Sequence, residues 1–207
     1  MDELRNFLKQ LDAFDDKELD ESLTCFKKVQ IERNGFYVKE SDVCKKAAFI
    51  KKGIFKLYYN LDGVERIMLF FRENQFVTDY YSFLTQTPSK RPIQAIEDSI
   101  VYNITYNDFQ KLFDKSKKWE RVGRMLAERA YIYSVQRANR IIHDDPDTRF
   151  MTFLKEYPTL LQRVPQYMIA SYLNMTPETY SRVKKRINLK DLDNFNPIHD
   201  QIKKDFI

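Results

Sequence analysis

The chain has 207 residues, 43% of them hydrophobic and 14% aromatic, which supplies enough apolar material for packed cores and excludes a disordered polypeptide. No stretch approaches the roughly 18 consecutive apolar residues of a membrane span, and acids interrupt the opening MDELRNFLKQL, so neither a span nor a secretory signal is expected and the expected location is the cytoplasm. The net charge of +5 is unevenly spread: from Arg163 to Lys190 the charged residues are Arg163, Arg182, Lys184, Lys185, Arg186 and Lys190 against Glu178 alone, which makes the C-terminal part the candidate for a polyanionic partner.

In chain order, Leu4, Phe7, Leu8 and Leu11 recur at helical spacing and predict an amphipathic helix over residues 1–11. Acids crowd residues 12–21. From about Lys27 to Thr105 the chain turns to short runs rich in Val, Ile, Phe and Tyr, broken by Asn34-Gly35, Gly53 and Asp62-Gly63. The segment GIFKLYYNLDGVERIMLFF reads as a hairpin, because Asp-Gly supplies the positive φ values of a two-residue turn between apolar strands. A compact all-β sandwich or roll is expected. Ile100 to Ile104 forms its last strand, and Thr105 caps a short helix carrying Phe109, Leu112 and Phe113.

Trp119 to Ile142 contains no proline and only Gly123 as a weak point, so it is expected to be the longest helix. Met125, Ile132, Val135 and Ile142 form one apolar stripe, interrupted by Glu128 and Asn139, and Val122, Leu126 and Tyr133 form a second. One stripe suffices to dock on the β domain. Two predict a homodimer through Val122, Met125, Ile132, Val135, Asn139 and Ile142, the alternative being that the whole helix is intrachain core.

Asp144-Asp145-Pro146 breaks the chain and sets the expected boundary of a small helical end. One helix is expected over Thr148–Glu156, another over Gln166–Leu173, and a third capped by Thr176 with Pro177 at its first position, where a missing N–H costs nothing. Two short helices joined by Asn174-Met175-Thr176 have the form of a helix-turn-helix, with Ala170 small enough for a close crossing. Its outward set is Thr176, Glu178, Thr179, Ser181, Arg182, Lys184, Lys185 and Arg186. Arg182 can reach guanine O6 and N7, Glu178 can accept from cytosine N4, and the hydroxyls and remaining cations can hold phosphates of double-stranded DNA. Cys25 and Cys44 form no metal-ligand spacing with each other or with His143 and His199, and no nucleophile–base or Gly-rich phosphate motif is present, so neither a metal, a cofactor nor catalysis is expected.

The order of parts resembles the Crp/Fnr family of bacterial transcription regulators, and YPTLLQRVPQYMIASYLNMTPETYSR (157–182) looks like the version in Bacteroidetes-type members. VKESDVC (38–44), FIKKGI (49–54) and FVTDYYSF (76–83) resemble the family's sensor domain. The resemblance implies an α+β chain: a cyclic-nucleotide-binding-like β-roll or jelly-roll sensor domain over 1–118, a dimerisation helix over 119–143, and a helix-turn-helix DNA-binding domain with a C-terminal tail over 144–207. It further implies DNA and RNA polymerase as partners. In the family an Arg-Glu-Thr stretch and a later Arg carry base contacts; Glu178, Thr179 and Arg182 match, and Pro177 replaces the first Arg.

Two departures alter the expectation. The family's cyclic-nucleotide binders use a Gly-Glu pair for the ribose and an Arg-Ser/Thr pair for the phosphate, whereas here Phe76-Val77-Thr78-Asp79 stands in the first place, and Ser89-Lys90-Arg91 is followed by Pro92. Cyclic AMP binding is therefore not expected, although Thr78, Asp79, Tyr80, Tyr81, Lys90 and Arg91 combine stacking faces with anion-binding charge and are the candidate pocket for another small-molecule effector. Residues 188–207 show no alternating strand pair, so the family's wing is expected to be lost in favour of a short terminal helix or a loose tail. The alternative function is a small-molecule sensor, possible cyclic nucleotides included, with a vestigial DNA-binding domain.

Overall fold

The computed structural model describes residues 1–187, and the expectations for the tail and the wing at 188–207 lie outside the described residues. Two compact units are formed, Met1–Met125 and Leu126–Ile207, so they divide inside the longest helix, ahead of the Asp144–Pro146 break.

The first unit runs α1 (Asp2–Leu11), α2 (Asp16–Leu23), β1 (Lys27–Ile31), β2 (Phe36–Val38), β3 (Lys46–Lys52), β4 (Phe55–Leu61), β5 (Val64–Phe71), β6 (Phe76–Val77), α3 (Tyr80–Thr85), β7 (Ile93–Ala95), β8 (Ser99–Thr105), α4 (Tyr106–Lys115) and the start of α5 (Lys117–His143). As the spacing predicts, α1 buries Leu4, Leu8 and Leu11. The acid-rich stretch after it is a helix that the sequence reading passed over. Asp15 caps α2 by accepting from the Glu18 N–H at 2.8 Å, while Leu19, Ser22 and Leu23 face inward.

The strands form two antiparallel four-stranded sheets, ordered β1-β8-β3-β6 and β2-β7-β4-β5. The β4–β5 hairpin turns where Asp62 (φ 52°) and Gly63 (φ 80°) both adopt positive φ, the backbone a two-residue turn matched to strand twist requires. Ala47, Phe49, Ile50, Phe55, Leu57, Ile93 and Val101 are among the side chains that fill the core. Thr105 caps α4 by accepting from Asp108 N–H.

Trp119 closes this unit. It is fully buried, with ring centroids of Phe14, Phe26 and Phe109 at 5.5, 6.2 and 6.1 Å, and its Nε1–H donates to Ser22 Oγ at 2.9 Å. Burying an indole of roughly 200 Å² is worth about 5 kcal/mol before entropy is charged against it. Gly123 is there because α4 comes close: a Cβ at that position would lie 2.5 Å from the Phe113 ring. Val122 is also fully buried within its own chain. That corrects its place in the expected subunit contact, since a side chain already enclosed by its own core has no surface to offer a second copy.

The second unit holds the rest of α5, then α6 (Pro146–Glu156), α7 (Leu160–Arg163), α8 (Gln166–Tyr172) and α9 (Pro177–Arg186). Asp145 accepts from the Thr148 N–H at 2.7 Å and Pro146 occupies the first turn, so α6 starts two residues ahead of the expected Thr148. Phe150, Phe153, Leu154, Tyr157, Leu160, Ile169, Tyr172, Tyr180 and Val183 form the core. The Tyr133 hydroxyl on α5 lies 2.9 Å from that of Tyr157 and 2.5 Å from that of Tyr172, so three phenols that would be costly to bury singly satisfy one another.

Candidate functional site

In the first unit, the bend between β6 and α3 places Thr78 and Asp79. Asp79 is only 1% exposed and makes no side-chain cap to α3. Its carboxylate accepts from Ser89 Oγ at 2.5 Å and from the Arg91 guanidinium, with which it forms an ion pair. The Arg91 backbone N–H in turn donates to Ser89 Oγ at 2.9 Å. A buried carboxylate is tolerated only when charge and hydrogen bonds compensate it, and both arrive from the Ser89–Arg91 segment.

Thr78 points elsewhere: its hydroxyl donates to the Lys46 carbonyl at 3.2 Å and lies 3.3 Å from Cys44 Sγ. The Cys44 N–H donates to Ser82 Oγ at 2.9 Å, so this thiol is held in a polar lattice rather than offered to solvent. Tyr80 is half-buried, and burial raises its phenol pKa. Tyr81 is 66% exposed and Lys90 is exposed. Of the six residues singled out in the sequence, the structure brings Asp79 and Arg91 into contact and leaves Tyr81 and Lys90 on the surface. Ser89, which the sequence reading did not place in the set, is the third member of the cluster. Its signal was available: a hydroxyl two residues before the arginine is well placed to bridge a carboxylate and a backbone N–H.

In the second unit, α8 and α9 are joined through Asn174, whose positive φ of 54° lets the chain reverse, and the Met175 N–H closes on the Ala170 carbonyl at 2.9 Å. Ala170 is 1% exposed, as its expected place at the crossing requires. Thr176 caps α9 by accepting from the Thr179 N–H at 3.2 Å, with Pro177 in the first turn. Tyr180 and Val183 anchor the inner face, the Tyr180 ring meeting Phe150 edge-on at 5.5 Å.

The opposite face carries the predicted set. Thr176, Glu178, Ser181, Arg182, Lys184, Lys185 and Arg186 are exposed and Thr179 is half-buried. The Glu178 carboxyl is held below its usual pKa, first by a backbone N–H, then by the Thr176 hydroxyl, with Arg182 adding its charge. Arg186 differs from the rest: both Asp147 carboxylate oxygens accept from it, so it ties α9 to the first turn of α6. This qualifies its expected part in phosphate binding, because a guanidinium already paired must release its partner before it can take another. On α5, Tyr131, Val135 and Ile142 are 71, 41 and 71% exposed, while Met125, Ile132 and Asn139 are half-buried.

Residues 28–116 match the family model of the cyclic nucleotide-binding domain. The solved structure of FixK2 from Bradyrhizobium japonicum superposes with a TM-score of 0.71 at 15% identity, covering 83% of this chain and 97% of that one. The c-di-GMP responsive global regulator CLP of Xanthomonas campestris gives 0.64 at 16% identity over 87% and 93% of the two chains, and the catabolite activator protein of Thermus thermophilus gives 0.52 at 16% over 84% of each. At these identities the likeness is one of fold. A comparison with curated protein sequences finds no match. Among the described residues no helix is long and apolar enough to cross a membrane, and no group of three or more His, Cys, Asp or Glu side chains could hold a metal ion.

Within the segment that matches the cyclic nucleotide-binding domain model, the Asp79–Arg91 pair generates a stability prediction. Arg91→Ala leaves the Asp79 carboxylate buried without its countercharge and is expected to destabilise the chain by about 3 kcal/mol in urea unfolding. A loss below about 1 kcal/mol, the usual worth of a surface pair, means that the carboxylate is solvated after all.

Proposed function

We propose that the protein is a homodimeric, sequence-specific DNA-binding transcriptional regulator of the Crp/Fnr type, with a sensor domain whose effector site is filled by its own side chains. The observation that carries the DNA-binding part is the division of α9: Tyr180 and Val183 are sunk in the core while Glu178 and Arg182 stand exposed on the other side, close to a cap that fixes the helix start. As the second helix of a helix-turn-helix, α9 offers that face to the major groove, Arg182 to guanine and Glu178 to cytosine, with Thr176, Thr179, Ser181, Lys184 and Lys185 toward phosphates. RNA polymerase is the partner a regulator of this type acts on.

For the sensor domain, the pairing of Asp79 with Arg91 and Ser89 supports a degenerate site. In a nucleotide-binding site the arginine must meet a phosphate, and here it meets a carboxylate of its own chain. No glycine occurs between Gly63 and Gly123 to let backbone N–H groups approach an anion. Calorimetry with cyclic AMP is expected to show no binding at micromolar concentration, and a tight one-to-one heat overturns the degenerate reading.

The dimer is proposed through the exposed side of α5. Because Val135 and Ile142 are uncovered in the single chain, replacing both with Asp is expected to leave the protomer folded and to convert a dimer to a monomer in sedimentation. Unchanged sedimentation sinks the α5 interface.

The DNA reading is tested by two substitutions on one helix, after a preferred site has been selected from random DNA. Arg182→Ala is expected to cost about 1–3 kcal/mol on that site and to flatten discrimination at one base pair, while Lys185→Ala weakens all sequences alike and lowers the salt slope by about one unit. If both variants behave alike on selected and random DNA, α9 is a charged surface and not a reading head.

A further inference from the structure

In the second unit α5 divides into two faces. Tyr133, Arg137 and Arg140 turn into their own chain, where they meet the phenols of Tyr157 and Tyr172, the Tyr172 carbonyl and the Glu156 carboxylate. With about 3.6 residues to the turn, Ile132, Val135, Asn139 and Ile142 run along the other side. Val135 and Ile142 are exposed there, and Ile132 and Asn139 are half-buried.

The order of these four carries more than their apolarity. From Ile132 to Val135, to Asn139 and to Ile142, the steps alternate between the short and long spacings of a coiled-coil seam, which assigns Ile132 and Asn139 to the a positions and Val135 and Ile142 to the d positions. Glu128 holds the d position before them, where two carboxylates would meet, so the close part of the seam runs from Ile132 to Ile142. Branched residues at both a and d, taken alone, favour three or four strands, whereas a single asparagine at a selects two in a fixed register and costs some stability to do so. Among the described residues the Asn139 amide forms no hydrogen bond. Covered by an apolar surface it would lose water and gain nothing.

We propose, resting on the reading of α5 as the dimer helix, that Asn139 sets the orientation and number of the chains: a second copy lies parallel and in register, and the two Asn139 amides hydrogen-bond to each other across the seam. In an antiparallel pair a positions face d positions, so each amide would lie against a valine at position 135 and stay unmet. A second copy in register is the partner that necessarily brings an amide to this level.

The test uses the full chain in sedimentation and in cross-linking under mild oxidation. In a Cys25→Ser background, which removes the half-buried thiol and leaves the buried Cys44, Ile142→Cys is expected to form a disulfide-linked dimer, because d positions of a parallel pair lie opposite each other. In the antiparallel pair the two thiols stand about 15 Å apart along the axis and remain unlinked. Asn139→Ile is expected to associate about tenfold more tightly, since two isoleucines replace two amides, and to admit species larger than the dimer. A monomer in sedimentation overturns the dimer reading and this inference with it. A dimer in which Ile142→Cys does not cross-link, or in which Asn139→Ile changes neither affinity nor state, leaves the dimer standing and overturns the role of Asn139.

Discussion

The 27-residue helix α5 is rich in charge and has to be held from outside itself, because a helix of that composition gains most of its stability from packing an apolar face rather than from its own hydrogen bonds. Trp119 and Val122 supply the hold in the first unit, where both are fully buried. Tyr133 supplies it in the second, through its bonds to the phenols of Tyr157 and Tyr172. The residues that anchor the helix are therefore committed to their own chain. What they leave over is a separate set, Tyr131, Val135 and Ile142, that no part of the described chain covers. An exposed Tyr or Val alone means little, but three on one helix whose other face is already in use is the pattern of a surface awaiting a partner.

The first unit meets its buried charge from within. Asp79 is the most deeply enclosed charged group of its neighbourhood, and the chain brings Arg91 and Ser89 to it, so the cluster is neutral and complete. Such a cluster gives a ligand's anion little to gain: to bind Arg91, a phosphate must displace a carboxylate held by a neighbour that is itself part of the backbone bend. A closed circuit of partners of this kind resists ligands.

Much of the architecture is legible in the residues because it rests on local rules. Asp62-Gly63 specifies a turn, Thr105 and Thr176 specify helix starts, and the leucines of α1 specify a buried face. One local signal was missed: Asp15 three residues before Glu18 is a cap, yet the acids around it read as charge alone. Asp144–Pro146 does break the chain between α5 and α6, and Asp145 caps the second helix as well. What local rules do not reach is pairing across the fold. Asp79 and Arg91 are twelve residues apart on opposite sides of a bend, and nothing in their spacing says that they meet. The stripe on α5 has the same difficulty: periodicity reports that Val122 is on an apolar face, not which surface encloses it.

The exposed face of α9 is positioned from behind. A helix of ten residues is shorter than the roughly 12–15 at which isolated helices become marginally stable, so its direction is set by what it rests on. Here it rests on the Phe150–Tyr180 contact, on Val183 and on the Arg186–Asp147 pair, all of which connect it to α6 or to the core beneath. Those constraints determine where Arg182 and Glu178 stand. At the first turn, Pro177 has neither a backbone donor nor a charge, so that turn contributes shape and a fixed start rather than a contact. On the proposed DNA reading, base contact is then concentrated in Glu178 and Arg182, one turn apart on a helix whose orientation is dictated from behind.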